Sequence, residues 1–425
     1  MKGSSGAASG PPLSALTRRS LLTGAGGVVV AAPAIVRAQG LSKRRVAVIG
    51  AGVFGTWTAE HLRRAGHAVT LIDAFSPAHS RASSGGESRM TRAGYGKDEI
   101  YSRMARDSLV EWKALSSRSG LPIFVEHGVL FFTSKPDSYF ADSVAVSRKI
   151  GLPIVEMTRA TMAQRFQMID FAGVETGFLE PGFGALMARR AVQTLARQLT
   201  DKGVIRRTMA AASIRTNGRT ADAVISKLGE TIQADLFVFA LGPWLPKLFP
   251  ELLGGRIVAT RQEVFYFGTP AGDLMFQPGM MPGWADFNGG DVYYGFPDLE
   301  GKGVKFAHDT HGIEVDPDTH SRQYSAAALA NVVAFRDRRF PGLRGAPLIG
   351  SEVCQYENSS NGDFLIDRHP TMSNVILVGG GSGHGFKHGP EVGRLAAAIV
   401  LSSGPQTEPR FTLATKATKQ AREVH

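Results

Sequence analysis

The sequence predicts an α/β (α+β) protein, a Rossmann-like dinucleotide-binding domain with an antiparallel-sheet substrate domain inserted into it. Three observations carry this. Arg45 to Asp73 (RVAVIGAGVFGTWTAEHLRRAGHAVTLID) reads as strand, glycine turn, helix and strand. Near the other end, an apolar strand at Val375 to Val378 runs into GGGSGHGFKHGPEVG, residues 379–393, and then a helix. Between these ends lie short alternating runs, such as Val129 to Phe132 and Asp291 to Phe296, that suit antiparallel strands.

Each element follows from its residues. Residues 1–38 read as a targeting segment rather than structure. Thr17, Arg18, Arg19, Ser20, Leu21 and Leu22 match the twin-arginine pattern, a mild apolar stretch follows, and Val36-Arg37-Ala38 resembles a cleavage site. Export to the periplasm or cell exterior is expected, and the apolar stretch is short and glycine-rich for a membrane span. Val46 to Ile49 form a buried parallel strand, and Gly50, Gly52 and Gly55 make G-x-G-x-x-G at a helix start. The first glycine permits the tight turn, the second lets backbone approach a pyrophosphate, and the third lets the helix pack on the strand. A second strand ends in Asp73, placed to accept hydrogen bonds from a ribose.

Ser76 to Gly96 reads as a loop carrying Arg81, Arg89 and Arg92, able to wrap a cofactor, hold a carboxylate or simply meet solvent. Tyr101 to Ser116 has the period of an amphipathic helix. Helical pieces follow at Ala160 to Phe166 and Leu186 to Lys202, and strand-like runs at Val204 to Arg215 and Thr231 to Ala240. Ile257 to Phe267, Gly301 to Phe306 and the stretch up to Tyr356 are β-rich, and a last helix spans Val392 to Leu401. The turn at 379–393 repeats the logic of the first one, so Gly383 and Gly385 are read as cofactor contacts. The polar tail after Gly404 is expected to be loosely ordered.

Composition narrows the function. The 425 residues suffice for two domains, and 43% hydrophobic with 20% charged residues is ordinary for a globular chain. The formal charge is +11; residues 1–38 contribute four of these charges and no acid, leaving about +7. No basic block with interleaved aromatics appears, so nucleic acid is disfavoured as a partner. Cys354 is the only cysteine, which excludes an intramolecular disulfide and a cysteine-based metal site. A lone cysteine is otherwise read as packing.

GAGVFG, ESRMTRAGYG, YYGFPDLEGKGVKFAHDT, SEVCQYENSSNGDFLID and GGGSGHGFKHGPEVG together resemble the monomeric sarcosine oxidase and N-methyltryptophan oxidase group of D-amino-acid-oxidase-like flavoproteins, from about Arg44 to Ser403. The resemblance implies FAD bound by 41–125, 186–256 and 362–405, with substrate over 126–185 and 257–361. It implies that Cys354 forms an 8α-S-cysteinyl link to the flavin. It places Arg92 and Lys387 at a substrate-carboxylate clamp, Lys305 beside the flavin where it promotes reaction with molecular oxygen, and Arg89 over the flavin face. Tyr294, Tyr356 and His384 are expected at the substrate pocket, the tyrosines equally readable as core. Two departures stand out. Asp309, after His308, replaces the relatives' histidine four residues beyond the lysine, and would repel a substrate carboxylate and favour a more basic or larger amine. Ser84 and Gly85 replace histidines upstream of Arg89, so flavin attachment or substrate fit is expected to differ.

The resulting expectation is an FAD-dependent amine oxidase, acting on the C–N bond of a sarcosine-like secondary amine and releasing hydrogen peroxide, as a monomer. The alternatives are an amino-acid dehydrogenase that passes electrons to a quinone or carrier, a non-catalytic FAD-holding binding protein, and, less favoured, an NAD-linked dehydrogenase.

Overall fold

The computed structural model describes residues 43–288, 291–402 and 408–421. The twin-arginine segment expected at 1–38 lies outside the described residues. A six-stranded sheet runs in the order Leu365–Arg368, Val375–Gly379, Leu236–Phe239, Arg45–Ile49, Ala68–Asp73, Ile205–Thr208. Its strands are parallel except Leu365–Arg368, which pairs antiparallel at the edge. Helices Val53–Arg64, Glu99–Ser119, Ala188–Asp201 and Gly389–Leu401 bury Trp57, Trp112, Leu195 and Ile399 in one cluster with Val46, Val48 and Val238. Apolar runs on the inner strands Arg45–Ile49, Leu236–Phe239 and Val375–Gly379 have no polar face because both faces of the sheet are covered there, whereas the edge strand Ile205–Thr208 is exposed.

An eight-stranded, mostly antiparallel sheet runs Leu348–Ser359, Ile257–Phe267, Val304–Asp309, Asp291–Phe296, Gly283–Asn288, Val129–Thr133, Thr176–Glu180, Val155–Thr158. One pair, Gly283–Asn288 with Val129–Thr133, is parallel. Strand alternation divides its two faces. Phe265, Trp284, Tyr293 and Phe306 point one way and pack with Phe335 of helix Ala326–Arg339. The opposite face carries Lys305, Ala307 and Asp309, with Phe296, Tyr294 and Val292 paired across from them. Gln262 pairs with Cys354, and Thr260 with Tyr356, on the same side. The period of two therefore gathers Cys354, Tyr356, Tyr294, Lys305 and Asp309 onto one surface.

Three readings change. Ser88–Thr91, inside the expected loop, is a strand because Gly184–Met187 offers it an antiparallel partner. The run at Val204 to Arg215 is two strands: Ile205–Thr208 joins the first sheet, and Ala211–Asn217 belongs to a separate three-stranded sheet. The described part of the tail, residues 408–421, is anchored. Phe411 is fully buried against Phe364 and Tyr101, and Arg410 pairs with Asp98 at 2.9 Å and Asp363 at 2.8 Å.

The glycine turn is fixed by contact. Gly50 has φ +108°, and a Cβ on Gly55 would sit 1.8 Å from the Gly50 carbonyl oxygen. Gly55→Ala is therefore expected to force backbone apart and cost about 2–3 kcal/mol. Urea unfolding should show a lower midpoint at unchanged slope, and a midpoint equal to wild type would mean that the turn yields.

Candidate active site

Two cavities meet beside the glycine turn. The first, of about 500 Å³, is lined by Gly50, Gly52, Asp73, Ser84, Arg89, Tyr356, Glu357, Gly383 and Gly385 among others. The second, of about 480 Å³, includes Arg89, Arg92, Tyr294, Asp309, Cys354, Tyr356, Gly383, His384 and Lys387. Arg89, Tyr356, Gly383 and Phe386 wall both, so the two spaces adjoin.

The first cavity has the chemistry of a dinucleotide cradle. The Asp73 carboxylate accepts from the Ala51 N–H at 2.7 Å and the Phe75 N–H at 2.9 Å, which ties the second strand to the turn. Burial raises its pKa, and those two backbone donors act against the rise. The helix Val53–Arg64 starts at Gly52 with no side-chain cap on Gly52 and no acid in its first turn, leaving its positive end suited to phosphate. One of its first N–H groups, that of Val53, donates to Ser84 Oγ at 3.0 Å. A Cβ on Gly52 would meet nothing closer than Ser84 Oγ at 3.4 Å, so this glycine opens onto cavity rather than packing. Gly55 does not line the cavity; it holds the turn from beneath. These residues fit FAD.

The second cavity is charged. The Arg92 guanidinium lies over the Tyr95 ring, 4.3 Å from its centroid, and donates to the Gly94 carbonyl. Lys387 is buried and donates to the His384 carbonyl at 2.9 Å. Its pKa is lowered well below the usual lysine range, first by burial and then by the neighbouring Arg92 charge, with Glu180 and Asp309 acting against the shift. Cys354 is a half-buried free thiol, with Arg89 Nη2 at 3.9 Å from its sulfur. The Tyr356 hydroxyl donates to Asp309 Oδ1 at 3.4 Å. His384 and His388 share the Tyr95 hydroxyl, at 3.1 and 2.8 Å.

Lys305 lines neither large cavity. It is 2% exposed and donates to the Ser88 carbonyl at 3.0 Å, bordering a small space of about 10 Å³ with Tyr266 and Glu87. Burial and then Arg89 push its pKa down to about 8.

Sequence reasoning missed three groups. Glu180 accepts from the Ala93 N–H at 3.1 Å and is pushed up to about 7 by burial. Glu357 is buried at the first cavity and pushed up to about 8, again by burial. Tyr95 supports the clamp. A glutamate ending an apolar strand looks like a surface residue in sequence. Tyr95, three residues after Arg92, carried a signal that spacing alone could have raised.

Comparison with known proteins agrees with this geometry. A model of the FAD dependent oxidoreductase family DAO matches residues 45–399. Monomeric sarcosine oxidase of Bacillus sp. (strain B-0618) is 30% identical over 372 residues, covering 84% of this chain and 92% of that one. N-methyl-L-tryptophan oxidase of Salmonella heidelberg (strain SL476) is 26% identical over 360 residues, covering 84% and 95%. Among solved structures, L-proline dehydrogenase from P. horikoshii shares the fold with TM-score 0.76 at 19% identity, over 87% of this chain and 97% of that one.

Proposed function

Because the chain belongs to the DAO family of FAD dependent oxidoreductases, we propose that it oxidises the C–N bond of a secondary amine or N-alkyl amino acid, with oxygen as electron acceptor. The names of its sarcosine and N-methyltryptophan oxidase relatives point the same way. The observation that carries this reading is the position of Arg92 and Lys387 in a cavity that shares a wall with the dinucleotide cradle.

FAD, when bound, supplies the two-electron acceptor. Arg92 holds the substrate carboxylate with its planar, delocalised guanidinium, a geometry suited to carboxylates. Lys387, whose charge is opposed by burial, gains a counter-ion when that carboxylate arrives, so the ligand itself completes the clamp. Phe131, Tyr139 and Phe287 supply apolar wall that excludes water. The amine reacts in its neutral form. Two electrons and a proton leave the α-carbon together as hydride, so no side chain need act as base, and the protein contributes orientation and field. Water hydrolyses the resulting imine to an aldehyde or keto product, and oxygen leaves as hydrogen peroxide. Lys305 provides the fixed positive charge for oxygen reduction, and Cys354 carries the flavin through an 8α thioether. Tyr294, Tyr356 and His384 shape the substrate space. The reading includes export of the loaded monomer by the twin-arginine machinery to the periplasm or beyond, which Thr17 to Leu22 support.

The test combines two measurements. Anaerobic amines with a carboxylate should bleach the flavin, and air should restore it with one peroxide per cycle. Acid precipitation should leave the yellow colour in the pellet for the parent and in the supernatant for Cys354→Ala. Colour in the supernatant from both proteins would remove the thioether. Because Lys305 lines neither large cavity, a second reading is an FAD-dependent amino-acid dehydrogenase using a quinone or carrier. Bleaching by an amine without peroxide on exposure to air would favour it.

A further inference from the structure

The strand Leu348–Ser359 runs between the two cavities. Cys354 and Tyr356 line the second, Tyr356 reaching the first as well, while Gln355 and Glu357 line the first alone. Alternation along the strand explains this division. Gln355 is partnered: its amide donates to the Arg81 carbonyl at 2.8 Å, and its oxygen lies 3.0 Å from His320 Nε2. Glu357 differs. It is 6% exposed, and its Oε1 has no hydrogen-bond partner.

The surroundings hold this side chain in place without neutralising it. The Glu357 backbone carbonyl accepts from the Ser382 N–H at 2.9 Å, which ties the strand to the second glycine turn. A Cβ on Gly379 would lie 2.3 Å from Glu357 Oε1 and 2.9 Å from Leu245 Cδ2, so only glycine leaves room for the carboxyl there. Ala259 pairs across from Glu357 in the ladder. The titratable groups of the cavity wall are Asp73, His79, Arg89, Lys227, Lys247 and Asp318, and none of them offsets the burial of Glu357. Only the Gly380 and Gly381 N–H groups favour its charge. Burial outweighs them, and the carboxyl is pushed up to about 8.

A buried carboxyl without a counter-charge takes a proton, and the neutral group is then a donor as well as an acceptor. Native structures seldom leave a buried donor without an acceptor, because that is costly. The space that Glu357 lines is the one that the glycine turns and Asp73 fit to FAD. That cofactor is anionic and rich in oxygen and nitrogen acceptors. An ionised carboxylate would oppose it, whereas a carboxyl kept neutral by its site can donate to it.

We propose that Glu357 is a cofactor-binding residue, which meets FAD as a neutral carboxyl and donates a hydrogen bond to one of its acceptor atoms. The proposal concerns the cofactor and not the amine, so it stands apart from the oxidase reading. Its signature is a pH dependence. As pH rises through about 8 the carboxyl of the free cradle ionises, the donor is lost, and affinity for FAD falls.

The experiment measures binding of FAD rather than turnover. The full chain carrying Cys354→Ala, in which no thioether can form, is freed of FAD and titrated with it by flavin fluorescence. Between about pH 7 and pH 9 the dissociation constant should rise about tenfold, as loss of a single proton requires. Glu357→Gln in that background keeps a side-chain donor but cannot ionise. It should bind within about threefold of the background at the lower pH and show no rise. Glu357→Ala should bind about tenfold more weakly at the lower pH, also without a rise. Lys305 ionises in the same range, so Lys305→Met is the control and should retain the rise. A dissociation constant flat with pH in the background would overturn the proposal. So would a rise that persists in Glu357→Gln or disappears in Lys305→Met. Equal weakening of both Glu357 variants, with the pH dependence intact, would assign the residue to holding the glycine turn. Failure of Glu357→Gln to fold would also count against the proposal, since an amide has nearly the shape of a neutral carboxyl.

Discussion

Replacing Arg92 by methionine is expected to weaken binding of a carboxylate ligand by about two orders of magnitude. Removing one partner of a buried, hydrogen-bonded charge pair costs about 2–5 kcal/mol, and each 1.4 kcal/mol is about a factor of ten. Arg92 is 9% exposed, so little water replaces the guanidinium. Lys387 limits the loss. Arg92 is the second cause, after burial, that lowers the Lys387 pKa, so removing the guanidinium lets the lysine hold its proton more readily and keep part of the clamp. Arg92→Lys should fall between the parent and Arg92→Met, because a point charge lacks the planar, delocalised geometry suited to carboxylates. Titration of flavin absorbance with 6-aminohexanoate measures this directly, with the KM for the amine as a second readout. An affinity within twofold of the parent would place the carboxylate elsewhere.

Lys305→Met is expected to slow reoxidation of reduced flavin by oxygen about 10²–10³-fold, the usual effect of losing one preorganised charge at a developing anion. Reduction by the amine should change by less than tenfold, since Lys305 lies outside the substrate cavity. Equal loss in both half-reactions would reject the oxygen role. The lysine also sets a pH dependence. With its pKa pushed down to about 8, Lys305 is charged below that value and neutral above it. Reoxidation should therefore fall as pH rises through about 8 in the parent and stay flat in Lys305→Met. The linkage to stability runs the other way. Below about 8 both folded and unfolded chains carry the charge and the burial penalty is fully present. Between there and the ordinary lysine value the unfolded chain binds more protons, so stability rises with pH.

Several features were legible because they depend on residues close together in the chain. The strand, turn and helix of Val46 to Arg64 need only an apolar run, three glycines at fixed spacing and the next strand ending in Asp73. The clamp cations and Cys354 were legible in a different way, through motifs that resemble those of the flavoprotein group; periodicity alone would have left Lys387 on the surface. Ser88–Thr91 was not legible as a strand, because its partner Gly184–Met187 is far away in sequence. The break between Ile205–Thr208 and Ala211–Asn217 is set by which sheet each joins. The tail looked unstructured because polar residues dominate it, yet Phe411 and the two ion pairs of Arg410 anchor it.

Local chemistry in the sequence determined a dinucleotide fold, a cradle for phosphates, a single cysteine and a set of cations without a nucleic-acid pattern. Tertiary structure decided which of those groups share a space. The antiparallel register turns Cys354, Tyr356, Tyr294, Lys305 and Asp309 to one face, where Lys305 donates to the carbonyl of Ser88, a residue that lines the second cavity while Lys305 does not. It also sets the charges: Glu180, Lys387 and Lys305 depart from their ordinary pKa values because they are buried. Burial is a property of neighbours distant along the chain, and no local pattern encodes it.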